Sequence, residues 1–426
     1  MSTTLLQRTL SPLAVGAVVS CATGGTAALA DNLNWDDAKQ QGAVTVNDRD
    51  RSMFRPDGIR VGNYLIFPEA GFSTMWDDNI LGRASNPVGG FRNELMANIK
   101  LESHLPRHLL DFNFGARLLE FPTRDEQNYV DAWGSAKWRL DIDHGHTISG
   151  HATAELRHEE YLERESLTSM KKPVEYNRYE AQSRITRDVG KLHGSVGVNY
   201  ESKIFQDSVQ IDGTPVAQTP RDYGITSPFI ALGYRFSPGY TLLAEARYNF
   251  QWNRGDTLID RDAEGFELWT GLDFEVSPVF RGFLKAGFIH QDYYQPNLID
   301  INTPIFEGRL EWLVTPLMTV YVGGKRYVFA TTYGDSSGRV ETRLYAKVEY
   351  EAMRNLVLTA VAEVRDIEFV GDVRHDQTLS GILSADWYYT KNILFNVTLE
   401  HQERTSNVDA FKVESNKITV GAKVRF

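Results

Sequence analysis

The last ten residues alternate without a break. Ile418, Val420, Ala422, Val424 and Phe426 fall on one side of an extended chain, and Lys417, Thr419, Gly421, Lys423 and Arg425 on the other, because successive side chains of a strand point to opposite faces. The same period of two recurs upstream with hardly a helix signal between. Leu110, Phe112, Phe114, Ala116 and Leu118 alternate with Asp111, Asn113, Gly115, Arg117 and Leu119. Ile148 to Leu156, Leu242 to Phe250 and Val340 to Tyr350 repeat the pattern, each against a polar and often charged set. A soluble barrel would be apolar inside. A charged face opposite an aliphatic and aromatic one instead fits lipid outside and water inside a closed sheet. The mean hydropathy of −0.35 and the want of any stretch of about twenty apolar residues after residue 30 argue against membrane helices. Strands of a closed barrel need no such stretch.

The connections between extended segments alternate in length. Short ones lie at Leu105-Pro106-Arg107, Asp143-His144-Gly145, Asp188-Val189-Gly190, Ser237-Pro238-Gly239, Ser277-Pro278, Thr315-Pro316, Met353-Arg354-Asn355 and Thr390-Lys391-Asn392. Long polar ones lie between them: 78–89, 122–127, 161–173, 207–220, 253–264, 292–304, 331–337, 371–376 and 403–409. Eight short and nine long links join eighteen strands, with sixteen as the alternative count. The expected fold is all-β, a transmembrane antiparallel up-and-down β-barrel with short periplasmic turns and long extracellular loops. A repeat of Ser/Thr-Pro turns at 237–238, 277–278 and 315–316 has the spacing of a hairpin pair. A propeller would share that period but lacks its blade signature. The terminal Phe426, with apolar residues at every second position before it, resembles the assembly signal of outer-membrane barrels; an edge strand of a soluble sandwich is the competing interpretation. Aromatic residues gather beside the short turns, among them Trp138, Tyr234, Phe236, Tyr240, Trp312, Tyr350, Trp387, Tyr388 and Tyr389. They suit a membrane–water girdle, or core packing for some.

The N-terminus reads as an export signal over residues 1–30: Arg8, a mildly apolar Leu10–Val19, then Ala28-Leu29-Ala30 before Asp31. Val18-Val19-Ser20-Cys21 is an alternative lipobox, with Cys21 acylated. Cys21 is the only cysteine, so cleavage after Ala30 would leave a chain with no disulfide framework and no thiolate metal site. Loss of Arg8 would take the formal charge from −11 to −12, which opposes nucleic-acid binding. Residues 31–59 are polar and too few for a folded plug. They are expected to form a periplasmic tail, a short helix around Trp35–Gln41 or a strand entering the lumen, with the barrel occupying residues 60–426.

Val46-Asn47-Asp48-Arg49-Asp50-Arg51, Arg55-Pro56-Asp57-Gly58-Ile59-Arg60-Val61-Gly62-Asn63-Tyr64, Phe67-Pro68 and Trp76-Asp77-Asp78-Asn79-Ile80 together resemble the putative β-barrel porin 2 family. There an Arg-Pro entry leads to a Gly-Ile/Leu-Arg-Leu-Gly-Ser-Phe strand, a Pro and a Tyr-Asp-Asp-Asn motif. Trp76 replaces the Tyr, Asn63-Tyr64 replaces Ser-Phe, and Ser52-Met53-Phe54 departs from the box preceding Arg55-Pro56. The resemblance implies an outer-membrane role connected with polysaccharide, often exopolysaccharide export, with periplasmic export components as partners. It defines no catalytic or ligand residues.

Candidate lumen-facing residues come as neighbours of opposite sign on one strand face: Arg92 with Glu94, Lys100 with Glu102, Glu155 with Arg157, Glu245 with Arg247, Arg309 with Glu311, Glu341 with Arg343, Lys347 with Glu349 and Glu363 with Arg365. They could make a polar path for hydroxyl-rich or acidic sugars, or a lattice stiffening the wall, each exposed pair being worth about 0–1 kcal/mol. Their balanced sign predicts weak ion selectivity. Asp77-Asp78-Asn79 and the set Asp256, Asp260, Asp262 and Glu264 have oxygen donors for Ca²⁺, although such residues are also ordinary turn formers. A rim enzyme would need a nucleophile beside His151, His158, His193, His290, His375 or His401, and no nucleophile motif accompanies them. The sequence therefore predicts a conduit rather than an enzyme, with no cofactor or metal: one for exopolysaccharide or oligosaccharide export, with a general diffusion porin for small solutes or a non-transporting structural barrel as the alternatives. Outer-membrane lipid and the barrel-assembly machinery are its expected partners.

Overall fold

In the computed structural model, which describes residues 44–161, 170–254 and 259–426, strands dominate. A short β1 (Ile59–Val61) folds back on β2 (Tyr64–Asp77). There follow β3 (Gly90–Ser103), β4 (His108–Glu120), β5 (Tyr129–Asp143), β6 (His146–His158), β7 (Glu175–Val189) and β8 (Leu192–Phe205). The ribbon of β9 (Ser208–Val209) and β10 (Pro215–Val216) stands in a loop. The wall resumes with β11 (Tyr223–Ser237), β12 (Tyr240–Asn253), β13 (Ala263–Ser277), β14 (Phe280–Tyr293), β15 (Ile301–Thr315) and β16 (Met318–Phe329). It ends with β17 (Arg339–Met353), β18 (Leu356–Phe369), β19 (His375–Tyr388), β20 (Ile393–Ser406) and β21 (Val413–Arg425). Each wall strand pairs antiparallel with its neighbours, and β2 pairs with β21 from Glu69↔Arg425 to Asp77↔Lys417. Eighteen strands thus close on themselves, leaving no sheet edge.

The eight short turns and nine long loops fall where the alternation of lengths predicts them. Gly239 illustrates why the short turns are tight: its φ of +76° is open to glycine at little steric cost. The exposed large side chains, among them Phe72, Leu95, Ile230, Leu268, Leu383 and Val420, occupy one strand face around the barrel. The opposite face holds the buried acids and bases, such as Glu94, Arg247, Glu267 and Glu349. Tyr234, Phe236, Trp312, Tyr350, Trp387 and Tyr389 stand outward near the short turns. Tyr388, expected with them, does not. It is next to Trp387 along the strand, so the pleat turns it inward, where it is buried. The proposed signal segment, Cys21 and the suggested helix at Trp35–Gln41 lie outside the described residues.

Candidate functional site: the inner wall and its two ends

Parity of the strands brings the charged residues to one continuous inner surface, and cross-strand neighbours compete with same-strand ones for each charge. Five of the expected same-strand pairs form: Lys100–Glu102 at 2.6 Å, Arg157–Glu155 at 2.9 Å, Arg247–Glu245 at 2.6 Å, Lys347–Glu349 at 2.5 Å, and Arg365–Glu363. Three are exchanged. Arg92 meets Glu160 of the loop after β6 at 3.4 Å, while Glu94 faces Arg117 at 3.6 Å. Glu311 is taken by Arg281, leaving Arg309 without it. Arg343 bonds Glu363 at 2.5 Å and Glu341 meets Arg365 at 3.3 Å. Residues directly opposite across a ladder are as near as residues two apart along it, so sequence neighbours alone do not fix the partner.

The deepest nodes are enclosed. Asp131 accepts from Arg117 at 2.7–2.8 Å and pairs with His158 at 2.9 Å. Glu267 accepts from Tyr327 at 2.5 Å, Asn249 at 2.7 Å and Trp269 at 3.0 Å, and faces Arg247 at 3.4 Å. The remaining histidines named in the sequence are bonded to carboxylates or amides, as with His193 to Asp188, His290 to Asn302 and Asp292, His375 to Asp366 and His401 to Asn416. His151 also has a partner.

Near the short turns, the chain before the barrel lies against the inner wall. Val46 is wholly buried on Val357, Tyr388 and Leu394, and Phe54 packs beside it. The Val46 amide donates to Thr319 Oγ1 at 3.0 Å, Asn47 donates to Glu349, and Arg51 pairs with Glu351 at 3.1 Å. Arg425 donates to the Phe54 carbonyl at 3.0 Å. Of the three forms expected for this region, residues 44–55 take the one that enters the lumen, though as an irregular segment with a 3₁₀ turn at Ser52–Phe54 rather than as a strand.

At the other end the loops cross over the mouth. Arg221, before β11, grips Glu159 with both terminal nitrogens at 2.8 and 2.9 Å and reaches Thr332, beyond β16, at 3.1 Å. Those loops spring from wall strands five positions apart, so their meeting spans part of the opening. Arg261 donates to the carbonyls of Ser336 at 2.7 Å and Gly334 at 2.6 Å. Ser337 accepts from the Ile299 amide at 2.8 Å, and Tyr333 packs edge-on to Phe411 at 5.3 Å with Arg374 over both rings. Residues 330–338 are therefore held by five other loops. Burial pushes the Tyr161 hydroxyl up to about 12. Burial would also raise Glu160, but Arg92 and Arg117 outweigh it and hold this carboxyl below its ordinary range.

The oxygen-rich clusters are spent on loop geometry. Asp77 accepts from the Asn79 amide at 2.7 Å and Ser415 at 2.9 Å, and Asp78 from the Asn416 amide at 2.7 Å. Asp262 accepts from the Asn253 amide and Asp260 from the Asp262 amide; Asp256 lies outside the described residues. A set of metal-type groups the sequence did not single out, Asp366 and Glu368 with His375, converges within 4.8 Å on the outward rim.

A closed eighteen-strand sheet, lipid-compatible outside and charged within, has the form of an aqueous channel across an outer membrane. A family profile described as "Putative beta-barrel porin 2" matches residues 51–426. The chain belongs to that family. This porin resides in the bacterial outer membrane. It is similar to solved structures from Pseudomonas aeruginosa: OccK8 (OprE), at 10% identity over 86% of this chain and 99% of that one, TM-score 0.45; the outer membrane protein OpdK, at 10% over 85% and 99%, TM-score 0.45; and OccK2 (OpdF), at 7% over 86% and 98%, TM-score 0.48. With TM-scores below 0.5 the strand count of the porin rests on its own pairing. No match was found among curated proteins.

Proposed function

We propose that this porin is a passive conduit for saccharides, oligosaccharides or an exported exopolysaccharide, whose path is lined by Arg92, Glu94, Lys100, Glu102, Glu155, Arg157, Glu245, Arg247, Arg309, Glu311, Glu341, Arg343, Lys347, Glu363 and Arg365. The observation carrying it is the inner wall itself: paired charges of both signs line it, offering hydroxyl groups donors and acceptors at every level without a strong field for one ion. General diffusion of small solutes is the second reading, favoured by that same balance of sign. The reading includes export through a signal ending at Ala30, a segment before the barrel that runs from the periplasm into the lumen at residues 44–55, and delivery to the barrel-assembly machinery through Phe426; no catalytic step is part of it.

Planar-bilayer recording of the purified protein is expected to give channels of weak ion selectivity, and a barrel that never conducts would overturn a conduit of either kind. A deletion strain separates the two: loss of secreted polymer supports export, and unchanged polymer with slower uptake of small solutes supports diffusion.

A further inference from the structure

We propose that the inner wall of β13 to β17 holds a binding subsite for a carboxylate-bearing saccharide, with Arg309 and Lys325 receiving the carboxylate and the rings of Phe283 and Tyr345 receiving the sugar. The proposal deepens the saccharide-conduit reading and rests on it for the identity of the ligand.

The charge balance that holds over the wall fails locally. Lys285, Glu307, Lys325 and Arg343 stand opposite one another on four consecutive strands, so one acid serves three bases. Glu307 lies 3.5 Å from Lys285, and Arg343 is held by Glu363 at 2.5 Å. Lys325 is left with no carboxylate at ion-pairing distance among the described residues. The next rung reads Phe283, Arg309, Gly323, Tyr345. Arg309 is exposed on the inner face and also lacks an acidic partner among the described residues, because Arg281 takes Glu311. Two neighbouring cations with no acid of their own form a local excess in a wall that elsewhere pairs its charges.

Rings interleave these cations. Lys285 sits 5.4 Å from the Phe283 ring and 5.8 Å from Trp269, Arg309 6.0 Å from Phe283, and Lys325 5.0 Å from Tyr327. Gly323 makes room for Tyr345: a Cβ there would lie 2.6 Å from the ring and its hydroxyl. Tyr345 therefore lies along the wall over Gly323 instead of projecting across the lumen. Aromatic faces accept the C–H face of a pyranose, and a guanidinium meets a carboxylate through two parallel hydrogen bonds. An anion lacking a sugar would use only the cations, and a neutral sugar only the rings.

The test is a tryptophan-fluorescence titration of the detergent-solubilised full chain, read against a Trp269→Phe control. The ligands are trigalacturonate, maltotriose and inorganic phosphate. Trigalacturonate is expected to bind roughly tenfold more tightly than maltotriose, with an R309Q/K325Q double variant abolishing the difference. Equal affinity for the acidic and neutral sugars, or a double variant that keeps the preference, would overturn the proposal. Phosphate competing as well as trigalacturonate would overturn its saccharide half. Folding of each variant is checked by its heat-dependent gel mobility. If the double variant fails to fold, Phe283→Leu replaces it and is expected to weaken both sugars, whereas unchanged sugar binding in Phe283→Leu sinks the ring contribution. Binding in detergent needs no conduction: a protein that binds trigalacturonate but passes no sugar in bilayers defeats the conduit reading alone. One that passes sugars without regard to charge defeats the subsite alone.

Discussion

Glu267 has no accessible surface, yet it stands on the face of the barrel that meets water. Its carboxylate survives there because four donors surround it, Arg247, Tyr327, Asn249 and Trp269. Removing one partner of such a group leaves the others buried and unanswered, which costs more than the pair contributes when intact. Glu267→Ala is expected to destabilise the barrel by about 2–3 kcal/mol, less than a full buried pair because Arg247 retains Glu245. Urea unfolding in lipid vesicles measures this, and an unshifted midpoint would show the node to be dispensable. The sequence identified Arg247 and Glu245 as partners from their spacing. It gave no sign of Glu267, which is brought to Arg247 by the β12–β13 ladder and not by position along one strand. Arg92 and Glu94 miss each other for a related reason: Glu160 enters from a loop and offers Arg92 a second acid.

Among the elements, residues 330–338 are tied to five other loops across the extracellular mouth. Arg261 supplies two of them to backbone carbonyls, at 2.6 and 2.7 Å. Arg261→Ala is expected to loosen this segment and give larger or noisier single-channel currents, with barrel stability little changed; identical current traces would mean that the segment does not limit the path. Glu160 ties the loop after β6 to β3 and β4 through Arg92 and Arg117. Its folded pKa is lowered, so the stabilisation is fully present above the ordinary carboxylate value and is lost as pH falls through the depressed one. Recordings at neutral pH should therefore be quiet, with gating emerging only in strongly acidic buffer. Glu160→Gln should show that gating already at neutral pH, and acid-insensitive currents from the unmodified protein would contradict the assignment. The lengths of these loops were plain in the sequence, but their mutual contacts were not. Arg221 and Thr332 are separated by 111 positions, and only closure of the sheet makes them neighbours.

For the whole molecule the decisive quantity is the sidedness of eighteen strands. Leu383 stands near the middle of β19 and is exposed on the apolar face. Leu383→Arg is expected to cost about 2–4 kcal/mol of stability in a bilayer, as a cation at midplane depth does on the lipid side of a barrel. The same substitution in a short-chain detergent should cost much less, and equal losses in both media would place Leu383 away from lipid. Sequence alone determined the strand class, the order of short and long links and the side each residue takes, because all of these follow from a period of two and from local turn chemistry; the strand pairing settled eighteen over sixteen. Tertiary structure decided which charges pair, that residues 44–55 lie on the inner wall, that Val46 comes to rest on Tyr388, and that Arg309 and Lys325 are left without acids. Those outcomes depend on the register between strands and on closing the first strand against the last, and neither is written into any single segment.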